Sequence, residues 1–118
     1  MLIFSQEEYY GNVEYKLFFN YDKDNPLKDQ IRVEKYITQL NFRINEGSGV
    51  AIYIIGIKDN GFIIGLDEKK IAETMILLHY MTNKLLFKID LIMKCKFNYK
   101  YFLIVKISNP NYIPVLLY

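Results

Sequence analysis

Acidic side chains fall at three places from which they could act together. Glu14 stands in the alternating stretch VEYK, and Asp59 in the polar interruption of GVAIYIIGIKDNGFIIGL. Glu7 and Glu8 lie just upstream. Carboxylates converging from two strands can hold a divalent metal for phosphodiester cleavage. The plainer reading is a surface charge pair, Glu14 with Lys16, and a turn residue, Asp59. Spacing alone favours that plainer reading. His79 is the one histidine, at the edge of an apolar helical stripe, and no partner set for a catalytic triad accompanies it. It reads as a half-buried structural histidine. Cys95 lies on an apolar strand face, where burial raises a thiol pKa, so it reads as core and not as a nucleophile.

The cations are more ordered. Arg32, Lys35, Gln39 and Arg43 recur at i, i+3, i+7 and i+11, and both arginines of the chain are on this row. A guanidinium offers a planar fork that grips phosphate at two points, which lysine cannot do. Such a row can track a nucleic-acid backbone. It can equally be a solvated helix face with Glu34 and Glu46 as counter-charges. Gly47-Ser48-Gly49 follows it, a loop that either brings backbone N–H groups to phosphate or simply stops the helix. Lys16, Ser48, Lys58 and Asn60 complete the candidate RNA contacts, with Gly47, Gly49 and Gly61 as points of close approach. Tyr9 and Tyr10 can stack on a base or cover a sheet edge. No G-x-x-x-x-G-K-[ST] pattern occurs, which argues against GTPase or kinase chemistry in this chain.

These residues need elements to hold them. Val13 to Asn20 alternates, with Val13, Tyr15, Leu17 and Phe19 expected on one face of a strand and Glu14 and Lys16 on the other. Asn25 is placed to cap a helix that opens at Pro26 and runs to about Glu46. Val33, Ile37, Leu40 and Ile44 form its buried stripe, widened by Tyr36, and Gly47 ends it. Two strands follow, about Val50–Ile57 and Phe62–Leu66, joined by a tight turn at Asn60-Gly61. Asp67 caps a second helix with an inner stripe of Ile71, Met75, Leu78, Met81 and Leu85. Phe87, Ile89, Leu91, Met93, Cys95 and Phe97 then alternate with lysines, and Asn98-Tyr99 turns the chain into a last strand, Tyr101–Ile107. An apolar tail, 109–118, is broken by Pro110 and Pro114. The order β-α-β-β-α-β-β predicts an α+β domain, two helices packed on a mostly antiparallel sheet.

Composition bounds the rest. A chain of 118 residues with 52% apolar and 16% aromatic residues is expected to form one domain with a real core. Net charge is only +2, so nucleic-acid binding would need a local patch. One cysteine leaves no partner for an intrachain disulfide or a multi-cysteine zinc site, and suits a reducing compartment. No signal peptide is expected from MLIFSQEEYY, and no apolar run approaches the ~18 residues of a membrane span. Lysine outnumbers arginine 13 to 2, and isoleucine, asparagine and tyrosine are abundant, a composition of AT-rich codons.

Taken in order, GNVEYK (Gly11–Lys16), RVEKYITQLNFRINEG (Arg32–Gly47) and IGIKDNGFIIGL (Ile55–Leu66) resemble a known arrangement. It is the domain that precedes the GTPase domain in the GTP-binding protein 1 and 2 family of translational GTPases. The likeness covers over half the chain, which here is expected to stand without the GTPase half. More distantly, the E-Y-K strand, glycine loop and G-x-x-D-x-G hairpin resemble the Schlafen-type AlbA-like domain. That nuclease carries a carboxylate five residues before the E-Y-K glutamate, where this chain has Tyr9. Glu8 is one residue out of register, and on a strand one residue changes face. Glu14 and Asp59 match the other two acidic positions, which implies a vestigial metal site without cleavage.

A short module of this kind and composition also resembles the microsporidian dormancy factors, ribosome-bound hibernation proteins. That resemblance implies a cytoplasmic, non-enzymatic factor without cofactor or metal, monomeric on the ribosome. It would lie near the tRNA exit site, contact rRNA and ribosomal proteins, exclude tRNA, and bind neither DNA nor membrane. The alternatives are a Schlafen-like metal-dependent endoribonuclease and a protein-interaction module of a translational GTPase system, docking through its apolar tail.

Overall fold

The computed structural model describes residues 3–19 and 26–113, with backbone alone for 26–29. Its elements are β1 (Val13–Lys16), α1 (Pro26–Glu46), β2 (Val50–Ile55), α2 (Glu68–Leu85), β3 (Lys88–Phe97) and β4 (Lys100–Ser108). The strands form one sheet in the order β1-β2-β4-β3. β1 and β2 run parallel, and such a pair needs a crossover, which α1 supplies. The other two pairings are antiparallel. The α+β class read from the sequence is the fold observed. No helix among the described residues is long and apolar enough to cross a membrane.

Both helices pack on one face of the sheet. Leu40 and Ile44 of α1, and Leu77, Leu78 and Met81 of α2, meet Ala51, Tyr53 and Ile55 of β2 and Leu103, Val105 and Ile107 of β4. On the outer face Tyr15, Ile54 and Phe102 lie under Ile57 and Ile63, with Phe4 packed against them. Asp67 caps α2 as expected, its carboxylate accepting from the Lys70 N–H at 2.8 Å. The expected cap Asn25 and the tail beyond Ile113 lie outside the described residues.

Several local expectations change. β1 stops at Lys16, whose carbonyl accepts from the N–H groups of Gly56 and Ile57 at 2.7 and 3.2 Å. The chain bends there, so Phe19 joins the helix-side core instead of sharing a face with Tyr15. Residues 62–66 form isolated bridges, Ile57↔Ile63 and Leu66↔Tyr101, and not a strand. Gly61 and Gly65 take positive φ of 93° and 86°, which breaks the extended path. A bulge at Asp90 puts Ile89 opposite Ile107 on the helix side but Leu91 opposite Lys106 on the outer face. The α2 stripe centres on Thr74, Leu77, Leu78 and Met81, one step from the position that would bury His79, which is exposed.

Candidate functional site: a buried arginine between two glutamates

Near its C-terminal end α1 carries Arg43, only 4% exposed. Its Nε–H donates to Glu14 Oε1 at 2.9 Å. Nη1 donates to the carbonyls of Gly11 (2.7 Å) and Tyr9 (3.4 Å), and Nη2 to that of Glu8 (3.1 Å). Glu7 Oε2 lies 3.7 Å from Nη2. The same oxygen accepts from the Tyr15 N–H of β1. One guanidinium thus serves two carboxylates and three backbone oxygens. It fastens the segment 7–11 across α1 and β1.

That segment is held along its length. The Phe4 N–H donates to Gly61 O at 3.0 Å, and the Glu7 N–H to Asp59 O at 2.7 Å. Tyr15 Oη donates to Ser5 O at 2.8 Å, and the Gly11 N–H to Glu46 Oε1 at 3.1 Å. The KDNG turn is therefore linked to Glu7 through backbone.

Glu14 itself is 3% exposed and faces the helices, not solvent. Burial pushes its carboxyl up to about 7, aided by the nearby Glu7 charge and opposed by its bond to Arg43. Tyr53, directly opposite Glu14 in the β1–β2 register, is fully buried. Its hydroxyl has no hydrogen-bond partner among the described residues. Burial first, then the Glu14 charge, raises its pKa above the ordinary phenol value.

The structure redistributes the candidate RNA contacts. Arg43 leaves the proposed phosphate row because segment 7–11 covers it and uses its donors. Lys16 Nζ donates to Gln39 Oε1 at 2.9 Å and lies 5.0 Å from the Tyr36 ring centre, which ties both residues to each other. Arg32 is half-buried, while Lys35, Ser48 and Lys58 are exposed. Asn60 Oδ1 accepts from the Phe62 N–H at 3.1 Å, a turn-forming role. The glycines expected to admit a ligand are occupied from within. A Cβ on Gly61 would collide with the Phe4 carbonyl, one on Gly49 with the Tyr112 ring, and one on Gly47 with Asn12 and the Val50 carbonyl.

Glu14 has Arg43 as its partner, whereas Asp59 is exposed in its turn. Among the described residues no group of three or more His, Cys, Asp or Glu side chains is gathered to hold a metal ion. An open cavity of about 680 Å³ remains beside the triad, lined by Glu7, Tyr9, Glu14, Lys35, Gln39 and Arg43 among others. Tyr9 and Tyr10 stand at its side of the molecule, 79% and 71% exposed, edge to face at 4.9 Å. Sequence spacing marks Glu7 as an acid near the others but not its pairing with Arg43, because it lies in a stretch without periodicity, and Tyr53 reads as one more apolar strand residue.

Comparison with known proteins adds a relationship. Over 74 residues the chain is 42% identical to GTP-binding protein 2 of Mus musculus and to that of Homo sapiens. The match takes in 63% of this chain but 11% of either relative, so the chain spans only a small part of their length. No protein-family model and no solved structure matches it. The chain is thus similar to a short segment of GTP-binding protein 2, in line with the resemblance carried by its three motifs.

Proposed function

We propose that this chain is a non-catalytic, cytoplasmic ribosome-binding factor. It occupies a tRNA site in the exit-site region, contacts rRNA and keeps the particle inactive, as ribosome dormancy factors do. The observation that carries the reading is the position of Arg43 between Glu7 and Glu14. Metal-dependent cleavage uses carboxylates that are free to hold a dication. Here Glu14 is bonded to Arg43, Glu7 lies 3.7 Å from the same guanidinium, and Arg43 fixes the backbone around them, which favours a rigid binding body over a nuclease. Exposed Lys35 and Lys58 can meet phosphates, and exposed Tyr9 and Tyr10 can meet bases. The resemblance to the domain preceding the GTPase domain of translational GTPases supports the ribosome as the partner. The test mixes the protein with ribosomes and end-labelled tRNA in Mg²⁺ or Mn²⁺. Displacement of tRNA in intact form is expected. Cleavage that Glu14→Gln abolishes would overturn the reading.

A second reading is favoured by the 42% identity to part of GTP-binding protein 2: an interaction module working beside a GTPase. It predicts tight binding to a purified GTPase of that type and none to isolated ribosomes.

A further inference from the structure

The β3–β4 hairpin reaches past the rest of the sheet. β2 pairs with β4 only from Val50↔Ser108 to Ile55↔Leu103. Beyond Leu103 the hairpin continues without β2, tied back at the Leu66↔Tyr101 bridge. This distal part reads KCKFNYKY, Lys94 to Tyr101, three lysines and three aromatics with no acid. All three lysines are exposed. Asn98 makes the turn at φ 55°, and Tyr99 beside it is 100% exposed.

Directly opposed residues of an antiparallel pair share a face. Lys94 opposes Leu103 of the helix-side core, and Lys96 opposes Tyr101, so both point to the helix side. Lys100 opposes Phe97, which packs with the outer cluster, so it points the other way. Lys94 is engaged by Glu68 at 2.8 Å and by the Tyr101 ring at 4.2 Å. Lys96 and Lys100 therefore offer cations on opposite faces of one arm. Over the whole hairpin Lys88, Lys94, Lys96, Lys100 and Lys106 stand against a single acid, Asp90, in a chain whose net charge is only +2.

The geometry points to this arm as an RNA-contacting element separate from the α1 side of the molecule. Lys96 and Lys100 hold phosphates on its two faces, and Tyr99 stacks on an unpaired base. Cations on both faces complement a ligand that carries negative charge past both sides, as the phosphates of a folded RNA strand do. Lysines contact phosphate as point charges, and every base has a face for stacking, so recognition here is tolerant of sequence. For the class of its ligand this inference rests on the RNA-binding reading above.

The test uses the full chain with Tyr99→Ala and with Lys96→Ala plus Lys100→Ala, all at exposed positions. Binding to a labelled single-stranded RNA 20-mer, to labelled polyglutamate and to ribosomes is measured across salt. Tyr99→Ala should weaken RNA binding about 5-fold or more. The double variant should lower the slope of log affinity against log salt by about 1.4. RNA binding lost in the variants, with no ribosome binding by the parent, leaves the arm standing and removes the ribosome. Parental binding to ribosomes that both variants retain in full removes the arm and keeps the ribosome. The arm is equally overturned if the parent binds no RNA, or binds polyglutamate as tightly as RNA with Tyr99→Ala changing neither.

Discussion

The Nε–H of Arg43 donates to Glu14 Oε1 across 2.9 Å, between two residues that are 4% and 3% exposed. A buried pair of this kind is a poor source of net stability, but removing one partner leaves the other charge uncompensated. Arg43 also holds the carbonyls of Glu8, Tyr9 and Gly11. Arg43→Ala should therefore destabilise the fold by about 3 kcal/mol or more, read from urea denaturation. Arg43→Lys should recover only part, because a point charge cannot serve both carboxylates and the backbone oxygens. Parental stability in Arg43→Ala would show that the triad does not fasten segment 7–11.

Glu14 also sets a pH dependence. Its folded-state pKa, raised by burial to about 7, lies above the ordinary value of 4.5. The native state then holds a proton that the unfolded chain has lost. The stabilising contribution is complete below about 4.5 and is lost as pH rises through about 7. The groups facing Glu14 are Arg43, Glu7 and Lys16, and of these Glu7 raises the carboxyl while the two cations lower it. Thermal midpoints should fall between pH 5 and pH 8, and Glu14→Gln should flatten that fall. An unchanged slope in Glu14→Gln would assign the dependence to another group.

Tyr53→Phe should be neutral or stabilising by up to about 1 kcal/mol in chemical denaturation. A buried hydroxyl with no partner among the described residues keeps its desolvation penalty, and deleting it removes the penalty with little loss of packing. A marked loss of stability would mean that the hydroxyl has a partner.

Gly61→Ala tests the fastening of the N-terminal segment at its other end. The position has φ +93°, and an added methyl would meet the Phe4 carbonyl. The variant should lose more than about 1 kcal/mol, with faster amide exchange at Phe4 and Glu7. Unaltered exchange there would show that the turn and the segment move independently.

Much of this was legible from residue pattern. Helix periodicity in Val33, Leu40 and Ile44, the Asp67 cap and the long alternation from Phe87 are local properties, so α+β follows from them. What pattern could not show is long-range. Arg43 lies on the same sequence row as Lys35, yet one is buried and the other exposed, because a segment some thirty residues earlier in the chain crosses over the end of α1. Glu14 alternates as a polar-face residue would, and periodicity cannot tell water from a buried guanidinium. The bulge at Asp90 likewise breaks an alternation that reads as perfect, since only the partner strand reveals the extra residue. The three glycines expected to admit RNA are instead approached by this chain's own Phe4, Tyr112 and Asn12, a long-range packing that no local pattern shows.

The proposed function is ribosome binding without catalysis at a tRNA site. Sedimentation of the purified protein with ribosomes through a sucrose cushion, in the presence and absence of excess deacylated tRNA, tests it most directly. One copy should pellet per ribosome and be displaced by tRNA, with the rRNA and tRNA left intact. Protein that stays above the cushion at low salt, or that pellets undiminished in excess tRNA, would contradict it.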